Sequence, residues 1–244
     1  MNEITHLSVY VMEDPTGVAR QSAEIIEKLC KEAIAERGVF NLAISGGKTP
    51  IPLFKLLSSP EWVDRLHWEK INLYWVDERG VPPEHPDSNY RVAREELLSY
   101  VPATKFYRIR GELDPQEAAE AYEKLLISHF NLEPGELPRF DCVILGMGAD
   151  GHVASLFPGI SEYIETNHLV IDLYVQKLHS SRITMTLPVL NNARTCLFLV
   201  SGREKHDAIS SALNLLTHPE LPAQKVRPVN GELLWVIDEA AAQG

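Results

Sequence analysis

Two hydrophobic rhythms alternate along this chain. Runs in which most positions are apolar recur as LSVYVM at 7–12, VFNLAIS at 39–45, INLYWVD at 71–77, FDCVILG at 140–146, HLVIDLYV at 168–175, TCLFLVSG at 195–202 and LLWVID at 233–238. Each reads as a β-strand. Between them the apolar positions fall at helical spacing. Over 15–37 they are Val18, Ile25, Ile26, Leu29, Ala33 and Ile34, with Gly38 placed to end the helix. Further helices are predicted over 49–57, 89–100, 114–126 and 204–216. The one at 114–126 carries its own start signal, with Asp114 as cap, Pro115 at the first helical position and Glu117 three residues after the cap. Strands alternating with helices predict an α/β fold built on a largely parallel sheet. No repeat or low-complexity segment interrupts the series. The proline-rich EPGELP at 133–138 is too short to separate domains, so residues 1–244 are expected to form a single one.

In an open parallel sheet, ligands collect at the carboxyl ends of the strands, which directs attention to four loops. The first is SGGKTP. Gly47-Lys48-Thr49 suggests a P-loop, but Leu42 stands where that motif needs a glycine, and Pro50 follows at once. What remains is a strand that ends in Ser45-Gly46-Gly47 and opens a helix. Backbone N–H groups, the helix start and the Ser45 and Thr49 hydroxyls can cradle a phosphate there. A plain tight turn with Thr49 as helix cap fits the same residues. In the second loop, Asp77, Glu78 and Arg79 end an apolar strand as either a solvated rim or part of an active site. His85 and Asp87 lack the third ligand a metal would need.

The third loop, GMGADG at 146–151, is literally a G-x-G-x-x-G, with Asp172 about 20 residues on, where a ribose-binding carboxylate would sit. A dinucleotide loop also needs a full crossover helix, and Phe157-Pro158-Gly159 interrupts the chain too soon for one. Asp172 falls inside a strand of its own. No nucleotide cofactor is therefore expected. The informative residues are Asp150 and His152, a carboxylate and an imidazole two apart in a glycine-rich strand-end loop. At the fourth loop, Ser201-Gly202 ends a strand and Lys205 falls in the first helical turn. A lysine there opposes the helix dipole unless an anion lies near, although many such lysines are merely solvated. Arg182, at the start of the apolar run RITMTLP, is a second cation for a phosphate.

Charge narrows the partners. With 23 basic and 34 acidic residues the net charge is −11, which argues against nucleic acid or an anionic membrane surface. It does not forbid a small anionic substrate held by a few local cations. Cys30, Cys142 and Cys196 each lie in an apolar stretch without a CxxC, so buried free thiols are expected rather than a metal site. No signal-like N-terminus is present, and no apolar run approaches the ~20 residues that span a bilayer, so a cytoplasmic protein is expected. G-x-S-x-G and HExxH motifs are missing as well. The residues by themselves point to a small phosphorylated substrate and metal-free general acid–base chemistry.

Six segments, SGGKTP, WVDERGVPPEHPDSNYR, GMGADGHVASLFPG, SRITMTLPVLNNAR, SGREKH and VRPVNGELLWVID, together resemble in this order the 6-phosphogluconolactonase family. That family shares its fold with the glucosamine-6-phosphate deaminase/isomerases. The resemblance spans essentially residues 8–240. The deaminases carry a tyrosine in place of Arg79, and an Asn-Glu-Pro where this chain has Ser155, Leu156, Phe157 and Pro158. Their ring-opening carboxylate is thus missing, and both differences favour the lactonase side. Val153 departs from the lactonase pattern, in which a threonine is common.

The resemblance implies a Rossmann-like open, mainly parallel twisted sheet flanked by helices on both faces, with a small additional β element. It also implies hydrolysis of 6-phospho-D-glucono-1,5-lactone to 6-phospho-D-gluconate without cofactor or metal. His152 would be the general base on water, Asp150 its partner, and Arg79 a stabiliser of the oxyanion. Ser45, Gly46, Gly47, Thr49, Arg182 and Lys205 would hold the phosphate, while Asp77, Asn89, Arg91 and Gly148 would meet the sugar. The only partner implied is the phosphorylated lactone, and the chain is expected to be a monomer or weak homodimer. The rival readings are a glucosamine-6-phosphate deaminase/isomerase-like enzyme and a non-catalytic phosphosugar-binding module. The latter would need a DNA-binding extension ahead of Leu7, and none is expected.

Overall fold

A computed structural model describes residues 6–102, 105–160, 167–214 and 221–244. Its strands in chain order are β1 (His6–Met12), β2 (Phe40–Ile44), β3 (Ile71–Trp75), β4 (Asp77–Arg79), β5 (Lys105–Tyr107), β6 (Cys142–Leu145), β7 (Val170–Val175), β8 (Ser180–Met185), β9 (Thr195–Val200) and β10 (Glu232–Asp238). Its helices are α1 (Pro15–Arg37), α2 (Ile51–Leu57), α3 (Asn89–Ala93), α4 (Pro115–Phe130), α5 (Leu187–Asn191), α6 (His206–Leu213), α7 (Pro222–Lys225) and α8 (Glu239–Gln243). Seven strands form a sheet in the order β1-β10-β9-β6-β2-β3-β5, and every pairing in it is parallel. A separate antiparallel sheet has the order β4-β8-β7. The expected mainly parallel α/β architecture with a small additional β element is the one observed. No helix among the described residues is long and apolar enough to cross a membrane.

The helix signals act where the sequence places them. The Asp14 carboxylate accepts from Gly17 N–H at 2.8 Å, Pro15 starts α1, and Gly38, at φ 78°, donates to Ile34 O at 2.9 Å. Val18, Ile26, Cys30 and Ala33 bury the inner face of α1 against β1, β2, β9 and β10. Asp114 caps α4 through the N–H groups of Gln116 and Glu117.

Strand β8 and the short helices α5, α7 and α8 are not among the predicted elements, and several predicted ones differ in form. The helix over 89–100 is α-helical only to Ala93 and then widens into a π turn over Arg94–Leu98. Strand β5, only three residues long and paired with β3, is too short for its alternation to be read from sequence. The run INLYWVD does not stay in one sheet. Val76 donates to Ile44 O at 2.9 Å and accepts from Met185 N–H at 2.8 Å, so the chain crosses there from β3 into β4. Apolar character shows that these residues are buried but not that two sheets share them. For the helix expected over 204–216, α6 ends at Leu213, and residues 215 and 216 lie outside the described residues.

The strand order contains one reversal that matters. From β2 the chain builds outward through β3 and β5, then returns to lay β6 on the other side of β2 and continues to β9 and β10. The connections leaving β2 and β6 therefore diverge, and a crevice opens between them at the carboxyl ends of the two strands.

Candidate active site

The loop after β2 forms one wall of this crevice. Ser45 N–H still belongs to the sheet, donating to Ile144 O at 3.1 Å. Beyond it, the N–H groups of residues 46–49 find no acceptor among the described residues. Gly47 adopts φ 87° with open space where a Cβ would be, so it is there for its backbone conformation. Gly46 serves another purpose, because a Cβ on it would lie 1.9 Å from Asn89 Oδ1. The Ser45 hydroxyl is buried without a partner, as is Asn89 Oδ1. Thr49 is not the helix cap. That place belongs to Pro50, and Thr49 lines the crevice instead.

The loop after β6 forms the opposite wall and turns three of its N–H groups back on itself. Gly148 N–H donates to His152 O at 2.9 Å, Gly151 N–H to Gly148 O at 3.0 Å, and His152 N–H to Asp150 Oδ1 at 3.2 Å. The tight turn brings His152 Nδ1 to 2.6 Å from the same Asp150 oxygen. A Cβ on Gly148 would lie 2.1 Å from that ring nitrogen and 2.6 Å from Asp150 Oδ1, so glycine is required for close approach. The other carboxylate oxygen accepts from Lys177, whose ammonium also sits 4.6 Å over the Phe157 ring. Partial burial works to raise the Asp150 carboxyl. The hydrogen bonds from Lys177 and His152 outweigh it and hold the group well below the usual carboxylate range. With Asp150 ionised, the proton of a neutral His152 belongs on Nδ1, and Nε2 keeps its lone pair. Ala154, in the next turn, is held at φ 52° by the paired backbone bonds of Val153 and Leu156, a left-handed conformation that costs about 1–3 kcal/mol.

The end of β3 and the short β4 supply a third side. Asp77, 5 % exposed, accepts from Ser155 Oγ at 2.7 Å and from Asn89 Nδ2 at 3.2 Å. Glu78, 2 % exposed, turns away from the crevice and accepts from the N–H groups of Arg79, Asn89 and Tyr90 and from Ser88 Oγ. Burial pushes its carboxyl up, while the three backbone donors work in the opposite direction. Glu78 thus fastens β4 to the start of α3, which orients Asn89. Arg79 donates to Asp87 O and leaves its Nε buried without a partner.

These walls enclose a cleft of about 170 Å³. It collects Ser45, Gly46, Gly47, Thr49, Asp77, Arg79, Asn89, Gly148, His152 and Lys205 of the residues that sequence singles out. Asp150 reaches it through His152. Arg182 stands just behind the lining: it pairs in register with Arg79 across β4 and β8, on the same face of that sheet, and burial, then its guanidinium neighbour, holds it below its usual value. Arg91 is outside the lining, donating to Glu95 at 2.7 Å and to Glu84 O at 3.3 Å. Three participants escape sequence reasoning. Lys48 lines the cleft but is hidden inside a failed P-loop match. Ser155, in the β6 loop itself, meets Asp77 of β4, and Lys177 comes from the turn between β7 and β8, with no local signal to mark either contact. Among the described residues, no group of three or more His, Cys, Asp or Glu side chains is placed to hold a metal ion.

A parallel α/β sheet with an unpaired N–H cradle, three lining cations and an imidazole–carboxylate pair at its switch point is the arrangement of an α/β protein suited to small anions and acid–base chemistry. Comparison with known proteins narrows that class. Residues 13–235 match the family of glucosamine-6-phosphate isomerases/6-phosphogluconolactonase, and the chain belongs to it. A protein from Synechocystis sp. named 6-phosphogluconolactonase is 39 % identical over 216 residues, covering 87 % of each chain. One of the same name from Nostoc sp. is 37 % identical over 238 residues, covering 96 % of each. The crystal structure of 6-phosphogluconolactonase from Thermotoga maritima superimposes with a TM-score of 0.81 at 29 % identity, covering 96 % of this chain and all of that one.

Proposed function

We propose that this chain hydrolyses 6-phospho-D-glucono-1,5-lactone to 6-phospho-D-gluconate, with His152 as general base and no metal in the catalytic step. The observation that carries the reading is the His152–Asp150 pair facing, across one cleft, the open N–H groups of residues 46–49. The names of the relatives support the substrate. The phosphate sits on the 45–49 turn, with the Ser45 and Thr49 hydroxyls and Lys205 around it; Lys48 lines the same wall. Arg182, on the same face of the second sheet as Arg79 and with its Nε buried without a partner, is a further cation for the phosphate. Asp77, its lone pairs oriented by Ser155 and Asn89, receives the sugar hydroxyls, and Gly148 leaves room for the ring. Arg91 belongs to the outer surface of α3.

In the first step His152 Nε2 takes a proton from water as its oxygen bonds to the lactone carbonyl carbon. The carbonyl becomes an oxyanion beside Arg79, where each well-placed donor contributes roughly 3 kcal/mol. The tetrahedral centre then collapses, the bond to the ring oxygen breaks, and the proton held by His152 passes to that oxygen. The product is an open-chain acid that ionises to the carboxylate. A positioned base of this kind accounts for about 10²–10⁴ in rate. Asp150 stabilises the transient imidazolium and keeps Nε2 aimed at the cleft. The reading carries with it a cytoplasmic enzyme, a monomer or weak homodimer, acting on a free phosphorylated lactone. Freshly generated lactone, assayed with correction for spontaneous hydrolysis, should be consumed far faster with the protein than without it, whereas glucosamine 6-phosphate should release no ammonia. No acceleration of the first reaction, or ammonia from the second, overturns the reading.

A further inference from the structure

We infer that Lys177 is a positioning residue for the imidazole, setting through Asp150 which nitrogen of His152 carries the proton. The inference rests on the function proposed above for its kinetic consequences, but its geometric basis is independent. Lys177 belongs to the 3₁₀ turn Gln176–Leu178 between β7 and β8, closed by His179 at φ 44°. It does not line the cleft. Its ammonium meets Asp150 Oδ2 and lies 4.6 Å over Phe157, whose ring centroid is 4.4 Å from that of His152. His152 in turn meets Asp150 through the other oxygen at 2.6 Å. The four side chains close a ring: cation, carboxylate, imidazole and aromatic face.

Each link has a physical consequence. The Asp150 side chain is 37 % exposed, so water competes for its oxygens. Among the described residues, Lys177 is the side chain that holds Oδ2. Removing it frees the carboxylate to rotate, and Oδ1 then no longer holds Nδ1–H at a fixed angle. The neutral imidazole can place its proton on Nε2, the wrong nitrogen for a base facing the cleft. Charge acts in the same direction. The groups that face the dyad are Lys177 from the second sheet, Arg79 and Asp77 from β4, Lys48 from the β2 turn and Lys205 near α6. Losing the nearest cation favours the protonated, inactive imidazole and a protonated Asp150 alike.

Lys177→Met keeps an apolar stem against Phe157 and removes only the charge. Since 52 % of this side chain is exposed, the fold should be retained. We expect kcat to fall about tenfold or more, the range typical of partners one layer behind a catalytic group. KM should change little, and the acid limb of the kcat/KM profile should move to higher pH. Lys177→Arg should restore all three. Nitrogen-15 spectra of His152 in the substrate-free protein give a readout that needs no lactonase activity. Wild type and Lys177→Arg should show the Nδ1–H tautomer, and Lys177→Met a mixture. If Lys177→Met retains the Nδ1–H tautomer, or the wild-type kcat and acid limb, the inference is wrong. A tautomer change in a protein that hydrolyses no lactone would uphold the positioning role and overturn the proposed function instead.

Discussion

The loops after β2 and β6 make an instructive pair. Both are glycine-rich, both leave the carboxyl end of a parallel strand, and they face each other across the reversal in strand order. They nevertheless present opposite chemistry. The 46–49 turn leaves its N–H groups unspent among the described residues, so its backbone is the recognition element. The 146–152 loop consumes the N–H groups of Gly148, Gly151 and His152 in its own turn and offers side chains instead. Each loop uses glycine in both ways, for φ at Gly47 and Gly151 and for close approach at Gly46 and Gly148. What a glycine-rich loop does is thus decided by where its donors point.

Substitutions can break this division of labour. The largest expected effect is at the side-chain loop. His152→Asn should lower kcat for the phosphorylated lactone by about 10²–10⁴ while leaving the thermal unfolding midpoint in place. Near-wild-type turnover would remove the base from the mechanism. Gly148→Ala comes next: its methyl must displace the imidazole or the carboxylate, and a misplacement of about 1 Å can cost on the order of 10² in rate. An unchanged kcat would show that the dyad's spacing is not limiting. Across the cleft, Lys205→Ala should raise KM by about tenfold, the worth of one charge-assisted contact, with kcat within about twofold. A KM that does not move would take Lys205 away from the phosphate.

The smallest effect concerns pH and stability. Asp150 is held below its ordinary value in the folded protein, so its contribution to stability is present above the unfolded value of about 3.9 and is lost as pH falls towards the folded one. The difference in urea midpoint between wild type and Asp150→Asn should therefore be constant at neutral pH and begin to narrow below about pH 4. A gap that persists undiminished at pH 3 would mean that the carboxylate charge contributes nothing.

Much of this was legible along the chain. Local signals with local causes, such as the Asp14 and Asp114 caps, the Gly38 terminator and the buried strands, appear where the residues place them. His152 and Asp150 stand out because they lie two positions apart in a turn. Arg91 shows the limit. It is a cation near the right helix start, yet its contacts with Glu95 and Glu84 O take it from the cleft lining. Lys177 shows the converse, since nothing near it in sequence announces Asp150, which lies 27 residues earlier.

By itself, then, the order of residues indicated most of the secondary structure, the parallel α/β class and four strand-end loops as candidates for chemistry, because periodicity, capping and turn geometry act over a few residues. Only the tertiary structure decided that these loops face each other, that β3 hands its chain to a second sheet at Val76, and that Lys177 and Ser155 stand behind Asp150 and Asp77. Those facts depend on strand order and on which side chain the folded backbone aims at which neighbour. Contacts of that kind are chosen by the packing of the whole core and leave no trace in any short window of sequence.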